Sequence, residues 1–221
     1  MGEGGAIVSD DDEFMDRCFS FHNYGNPYGT ASGAIGVGTI MAGTKIRLTE
    51  YQAAIGLAQL ERLEEQTKIR NENAAYLKSK IQQIPGIIPY RLYPNVTRAA
   101  FHFFPFRYKK EEFKGLSRGK FLKAIQAEGV NCFSGYTELT NMPFLKNTFN
   151  GRLFNKFYTK EYLNYDRYAL ENKCPMNEKV CNEEAVWVFQ NLLLGTKQDL
   201  DNIALAIEKI QKNADLIKIK G

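Results

Sequence analysis

The chain has 221 residues, of which 44% are apolar, and its 29 basic and 25 acidic residues leave a net charge of +4. The sequence shows no basic stripe for nucleic acid and no apolar stretch that could span a membrane, and we expect no signal peptide. Four cysteines without a CxxC pair, together with only two histidines, argue against a metal site and favour free thiols in the cytoplasm.

The length suits one large domain or two small ones. The first region, residues 1–48, combines a predicted strand, a predicted helix and a glycine-rich connection. Residues 6–8 are apolar and β-branched, which predicts a buried strand. Residues 12–21 follow an acidic cluster and predict a short helix. Six glycines occur at positions 25–43. A connection as long and as glycine-rich as this is usually functional.

A long helix is predicted next. Thr49 and Gln52 form a capping box, and apolar residues at helical spacing continue as far as Ile84. Pro85 and Gly86 end the pattern. At 1.5 Å per residue such a helix would be about 50 Å long, more than a small domain can span. We therefore expect it to bend or break and to link two bodies.

The remaining residues alternate between strand and helix patterns, which predicts a small α+β domain. Its predicted elements are a strand at 101–108 with Pro105 at a bulge or an edge, a helix capped by Ser117 and stopped at Gly129, a strand at 130–133, an irregular aromatic cover at 141–170, a strand at 185–190, and a final helix with a capping box at Thr196 and Asp199. We expect Trp187, in the third strand, to lie in the core.

Three stretches, GEGGAIVSDD, GTKIRLTEYQAAIGLAQLERL and GVNCFSGYTELTNMPFL, together resemble the DegT/DnrJ/StrS family of pyridoxal-phosphate-dependent sugar aminotransferases. CFSFHNYG, CPMNEKVCNEEAVW and NLLLG resemble the branch that aminates inosose-type cyclitols or makes aminohydroxybenzoate. The likeness runs in order from Gly2 nearly to Lys212. It implies an α/β fold, the C-terminal part of a fold-type I transferase. Residues 1–48 would be a remnant of the large domain with its last strand and loop, 49–85 a linking helix, and 86–221 the small C-terminal domain.

The resemblance also places the chemical centre of the family outside this sequence. In the family, the GEGG strand follows the lysine that holds pyridoxal 5′-phosphate as a Schiff base, so that lysine is expected upstream of Met1. The same applies to the aspartate at the pyridinium nitrogen and to the aromatic residue that stacks on the cofactor ring. We therefore expect no catalytic residue in this chain, no cofactor binding by the chain alone and no activity on its own.

Two residues of the GTKIR stretch are candidates for cofactor binding by resemblance. Lys45 stands where the family often carries an asparagine that reaches the cofactor phosphate of the neighbouring subunit, and a lysine can hold phosphate as a point charge. Arg47 resembles a residue that the family retains beside the active site. The alternatives are a solvated loop lysine and an arginine whose salt bridge braces the loop.

Two further residues are candidates for substrate binding. Tyr136 lies in SGYTEL, which matches a segment that comes near the substrate in the family, but an ordinary half-buried tyrosine would look the same. His102 lies within the predicted apolar strand at 101–108. There, a hydrogen-bonded core histidine is the favoured alternative to a substrate ligand.

The resemblance implies transfer of an amino group from glutamine or glutamate to a keto-sugar or an inosose-like keto-cyclitol. It also implies a homodimer whose active sites are shared between subunits. The alternative is a non-catalytic remnant or interaction subunit that pairs with a separate N-terminal half. Neither hypothesis involves a nucleic acid or a membrane.

Overall fold

A computed structural model describes residues 2–31, 34 and 37–220. The chain forms two compact units, Met1–Glu64 and Glu65–Gly221, which are considered separately below. Four positions of the predicted glycine-rich loop lie outside the described residues, as do the two chain ends. These loop positions are Ser32, Gly33, Ile35 and Gly36.

The first unit contains helix α1 (Asp12–His22) and helix α2 (Glu50–Leu60). The prediction of α1 is confirmed: the Asp11 side chain caps the helix by accepting a hydrogen bond from the Phe14 N–H at 2.9 Å. The predicted strand at residues 6–8 is wrong, and Val8 is 91% exposed. A strand needs a neighbour to complete its hydrogen bonds, and none of the described residues pairs with this segment.

The predicted long helix is divided into two. Helix α2 ends at Leu60, and helix α3 (Leu63–Ile81) begins after a turn, so the expected break is confirmed. The capping box is present, because the Thr49 N–H donates to Oε1 of Gln52 at 3.2 Å. Asn73 lies on the buried face of α3, and its Nδ2 donates to the carbonyls of Leu193 and Gly195 at 2.8 and 2.9 Å. A buried polar residue is tolerated here because its hydrogen bonds are made.

The second unit is built on a four-stranded antiparallel sheet with the strand order β1-β2-β4-β3. Its strands are β1 (Ile87–Pro89), β2 (Phe103–Tyr108), β3 (Cys132–Ser134) and β4 (Ala185–Phe189). Phe104 lies opposite Val188 in the β2–β4 pair, and Phe133 lies opposite Trp187 in the β3–β4 pair. Strand β4, although last in sequence, therefore lies between β2 and β3.

One face of this sheet is covered by helices and forms the core. Helix α4 (Arg118–Ala127) contributes the fully buried Phe121 and Ile125. The predicted capping box of the long C-terminal helix is confirmed: Thr196 N–H donates to Oδ2 of Asp199 at 2.8 Å. Each fully buried aliphatic or aromatic side chain contributes about 1.5–3 kcal/mol. The sheet residues that face these helices are Phe104, Phe106, Tyr108, Val186 and Val188.

The prediction that Pro105 lies at a bulge or an edge is wrong. Pro105 lies within the inner strand β2, in continuous register with β4. Its carbonyl accepts from the Tyr90 N–H at 3.2 Å, on the side of β1. The regular β1–β2 ladder ends at the Pro89–Phe106 pair. The missing N–H of Pro105 therefore falls just beyond the ladder, where its loss costs no regular hydrogen bond.

The connection from β3 to β4 carries short helices in place of the predicted irregular cover. Helices α5 to α8 are followed by a π-helical turn (Val180–Glu184) that leads into β4. None of the described helices has the length and hydrophobicity of a membrane span. The helices not yet bounded are α5 (Pro143–Phe149), α6 (Phe154–Phe157), α7 (Tyr165–Glu171), α8 (Pro175–Lys179), α9 (Lys197–Lys212) and α10 (Ala214–Lys220).

Candidate functional site

In the first unit, residues 20–26 and 40–45 run backbone against backbone, and we call this pair of segments the loop clip. The Thr44 N–H donates to the Phe21 carbonyl at 2.7 Å, and the Tyr24 N–H donates to the Thr44 carbonyl at 3.2 Å. Asn23 and Lys45 form an isolated antiparallel bridge within it. These bonds fix the backbone that carries Lys45.

Two glycines make the close approach of the clip possible. Gly25 has a φ of +80°, and a Cβ there would lie 1.8 Å from the carbonyl oxygen of Met41. A Cβ on Gly43 would lie 2.3 Å from the backbone nitrogen of Gly25. Because both obstructing atoms belong to the backbone, neither contact can be relieved by a side-chain movement.

Lys45 and Arg47 lie at the end of the clip, with Lys45 exposed and Arg47 partly buried. Two cations in such close succession are chemically suited to a phosphate dianion. Beside them, the Nδ2 of Asn23 is buried and has no hydrogen-bond partner among the described residues. An anionic oxygen that reached this bridge would satisfy the unpaired donor. The Lys45 side chain is exposed, whereas a nucleophilic lysine is typically desolvated in an apolar pocket, so the residue suits a phosphate ligand better than a nucleophile.

In the second unit, the sheet face opposite the helices is open. Every second residue of β2 and β4 points to it, since side chains alternate along a strand. Phe133 and Phe189 on this face are 41% and 40% exposed. The open face, as we use the term, consists of Ile88, Phe103, Pro105, Arg107, Phe133, Trp187 and Phe189.

The structure brings His102 and Tyr136 together at one end of the open face. The Tyr136 ring stacks on Trp187 with centroids 5.4 Å apart and an interplanar angle of 19°. The ring centroid of Phe103 lies 5.4 Å from that of Trp187, and the ring centroid of His102 lies 4.1 Å from that of Phe103. We call these four side chains the aromatic platform. Its outer members, His102 and Tyr136, are exposed and can reach a ligand.

Two expectations about these residues are wrong. His102 is not a core histidine, because β2 begins at Phe103 and leaves His102 exposed before the strand. Trp187 is not in the core either: its neighbours Val186 and Val188 point to the helices, which places Trp187 on the open face. Tyr136 is 68% exposed, more than the half-buried alternative implied.

A cluster of charges that the sequence analysis missed lies at the other end of β2. The Glu184 side chain is 3% exposed, and Arg107 Nε approaches its carboxylate at 2.6 Å. Lys109 donates to the other oxygen, which Lys179 Nζ also approaches at 3.6 Å. Burial acts to raise the pKa of Glu184, but the hydrogen bonds from Arg107 and Lys109 outweigh it and hold that pKa below its usual value. We call Arg107, Lys109 and Lys179 the cationic cluster.

The turn that presents Glu184 is itself anchored. The Arg118 guanidinium donates to the carbonyls of Cys181 and Ala185 at 2.9 and 3.2 Å. These bonds hold the chain on both sides of Glu184 as it enters β4. The sequence contains one signal for the cluster. Arg107 follows Phe103 by four residues in β2, so the two side chains lie on the same face of the sheet.

The chain is similar to curated proteins that carry aminotransferase names. The sequence matches the DegT/DnrJ/EryC1/StrS aminotransferase family over residues 1–206. A putative L-glutamine:3-amino-2,3-dideoxy-scyllo-inosose aminotransferase from Streptoalloteichus tenebrarius is 30% identical over 98% of this chain and 51% of its own length. The protein of the same name from Micromonospora echinospora is 31% identical with the same coverage. The chain thus spans about half the length of the curated relatives it matches.

Two solved structures also align with nearly all of this chain over about half of their own length. 3-Amino-5-hydroxybenzoic acid (AHBA) synthase aligns with a TM-score of 0.67 and 22% identity, over 92% of this chain and 48% of the synthase. Helicobacter pylori PseC, an aminotransferase involved in the biosynthesis of pseudoaminic acid, aligns with a TM-score of 0.63 and 18% identity, over 93% and 48%. These matches confirm the predicted fold class, the C-terminal part of a pyridoxal-phosphate-dependent aminotransferase fold.

Proposed function

The chain belongs to the DegT/DnrJ/EryC1/StrS aminotransferase family, and on this premise we propose that it is the C-terminal half of an aminotransferase. The proposed reaction transfers an amino group from glutamine or glutamate to a keto-sugar or an inosose-like keto-cyclitol. The observation that carries the proposal is the alignment of 98% of this chain with two relatives named as glutamine:amino-inosose aminotransferases. In this proposal, the lysine that carries the cofactor belongs to the other half.

The residues of this half have binding roles. Lys45, fixed by the loop clip, and Arg47, two residues after it, would hold the phosphate of pyridoxal 5′-phosphate. When bound, that cofactor supplies the electron sink that amino transfer requires. The aromatic platform would receive the ring of the acceptor, with the hydroxyl of Tyr136 and the imidazole of His102 available for hydrogen bonds to its oxygens.

We further propose that the complete enzyme is a cytoplasmic homodimer with shared active sites. The free thiols of Cys18, Cys132, Cys174 and Cys181 suit a reducing compartment. A phosphate ligand on an exposed loop also suits a site that is completed by a second subunit.

The proposal is tested by measuring transfer of nitrogen-15 from labelled L-glutamine to 3-amino-2,3-dideoxy-scyllo-inosose by mass spectrometry. The chain alone is compared with the chain expressed together with the coding sequence that precedes it. We expect labelled product only from the combined protein. Labelled product from the chain alone would contradict the proposed division of roles. Absence of product from a folded, cofactor-loaded combined protein would favour the alternative, a non-catalytic interaction subunit.

In the complete enzyme, Lys45→Ala is expected to raise the dissociation constant of pyridoxal 5′-phosphate about tenfold. The substitution removes a charge-assisted hydrogen bond to phosphate, and such bonds contribute about 1.5–3 kcal/mol. The affinity is measured by titrating the apoenzyme and following cofactor absorbance. Lys45→Asn, which restores a donor, should recover most of the affinity, and the spectrum at saturation should not change. Unaltered affinity in Lys45→Ala would mean that the lysine is only a solvated charge.

Tyr136→Ala in the complete enzyme is expected to raise the KM for the acceptor about fivefold while leaving the KM for glutamine unchanged. The ring supplies the outer surface of the aromatic platform, and aromatic contacts of this kind contribute about 0.5–1.5 kcal/mol. The matched control is Tyr93→Ala, since Tyr93 is 79% exposed. Equal acceptor KM values in the two variants would remove Tyr136 from the acceptor site.

A further inference from the structure

The cationic cluster carries more positive charge than its buried carboxylate can neutralise. Three cations, Arg107, Lys109 and Lys179, surround the single carboxylate of Glu184, which leaves an excess of two positive charges. The neighbouring Lys110 and Glu183 pair with each other at 2.9 Å and do not change this balance. The cluster can therefore accept an anionic group while Glu184 keeps its own partners.

The cations can be reached from solvent. The side chains of Arg107 and Lys179 are 37% and 52% exposed, and that of Lys109 is 24% exposed. Glu184, at 3% exposure, lies beneath them. An incoming anion would meet guanidinium and ammonium groups before it met the carboxylate.

The cluster and the aromatic platform share the open face at a fixed spacing. Arg107 lies opposite Ala185, and Pro105 lies opposite Trp187. Two residues along a strand span about 7 Å, so the row of Trp187 is about 7 Å from the row of Arg107. Pro105, which lies beside Trp187 in the same row and precedes Arg107 by two residues on β2, is exposed, so the sheet surface next to Trp187 is accessible. The spacing suits a ring centred over Trp187 whose attached acidic group reaches toward Arg107 and completes the distance with a hydrogen bond.

We propose that the open face binds a ring compound that bears a phosphate or a carboxylate. The ring lies on Trp187 and Tyr136, and the acidic group is held by Arg107, Lys109 and Lys179. This inference deepens the proposed function, because it rests on the assignment of the aromatic platform to the acceptor and makes an acidic group part of what this half recognises. Aromatic contact and charge complementarity then act on the same molecule.

Trp187 provides the readout, since it is the single tryptophan of the chain. Its fluorescence is followed during titration of the full chain with two matched pairs of probes. One pair is myo-inositol 1-phosphate and myo-inositol, for the phosphate; the other is 3-hydroxybenzoate and phenol, for the carboxylate. We expect at least one acidic probe to bind about tenfold more tightly than its neutral partner, with the difference shrinking from about 50 to about 500 mM salt. The pair that shows the difference identifies the acidic group.

Lys179→Ala is expected to weaken binding of the acidic probe about fivefold, and Lys179→Arg to restore it. Arg107 and Lys109 keep their contacts with Glu184 in both variants, and circular dichroism verifies the fold. Lys212→Ala is the control, because its side chain is 75% exposed in α9 and pairs with Glu208. Equal binding of acidic and neutral probes, no response of Trp187, or no difference between Lys179→Ala and Lys212→Ala would each overturn the inference. Amino transfer to a neutral acceptor without such a preference would leave the proposed function standing and remove only the anion site.

Discussion

Glu184→Gln is expected to lower the free energy of unfolding by about 2 kcal/mol at neutral pH. Removing one partner of a buried ion pair typically costs about 3–5 kcal/mol, and the partial exposure of Arg107, Lys109 and Lys179 reduces this because the freed cations can turn toward water. The change is measured by urea denaturation. Glu183→Gln is the matched control: that neighbouring carboxylate is 50% exposed, so its loss should have a much smaller effect.

The same substitution has an expected dependence on pH. The pKa of Glu184 is held below its usual value in the folded chain, so its carboxylate stabilises the fold above about pH 4.5. This stabilisation is lost as the pH falls through the folded-state pKa, when the carboxylate is protonated. The stability difference between the parent and Glu184→Gln should therefore be largest near neutral pH and shrink in acid. A difference that stayed constant from pH 7 to acid would contradict the role of the charge.

Gly43→Ala is expected to open the loop clip and to weaken cofactor binding in the complete enzyme by more than tenfold. The new Cβ would lie 2.3 Å from the Gly25 nitrogen and 2.7 Å from the Phe21 carbonyl oxygen. Overpacking against a rigid backbone costs about 1–3 kcal/mol, which is comparable with the net contribution of the clip's hydrogen bonds at about 0.5–1.5 kcal/mol each. The clip then separates, and Lys45 loses its fixed position.

Hydrogen exchange of the Thr44 amide tests this directly, because that N–H is bonded to Phe21 in the clip. Gly38→Ala is the matched control, since a Cβ at Gly38 meets nothing within 4 Å. We expect fast exchange and weak cofactor binding only in Gly43→Ala. Protection of Thr44 in that variant equal to the protection in Gly38→Ala would show that the clip tolerates a side chain.

Elements with local signals could be predicted from the sequence. The capping boxes at Thr49 and Thr196 each involve residues three positions apart, so the helix starts they mark are found in the structure. The strand at residues 6–8 could not be decided in this way, because a strand exists only if another segment pairs with it. The prediction that Trp187 lies in the core was wrong for a related reason. The alternation of side chains defines two faces of β4, but only the packing of the helices decides which face is buried.

The residues of the candidate site also divide into those that the sequence could predict and those that it could not. Lys45 and Tyr136 were found through motifs of the family, and their binding roles stay predictions. The contact of Arg107 with Glu184 joins residues 77 positions apart, and neither residue belongs to a motif that announces the pair. His102 and Tyr136 meet only through Phe103 and Trp187, on strands whose pairing is not visible in the sequence.

The strand order β1-β2-β4-β3 has a consequence for how this family half can diversify. The long connection that carries α5 to α8 leaves from Ser134 and returns at Ala185, and both of its ends are fastened to the same sheet. Doubling the length of a closed loop costs only about 0.6 kcal/mol of chain entropy. Insertions and deletions in this connection therefore change the free energy of folding little, whereas changes in the strands disturb the pairing of the sheet. Evolution can reshape the border of the open face while the sheet beneath it stays the same.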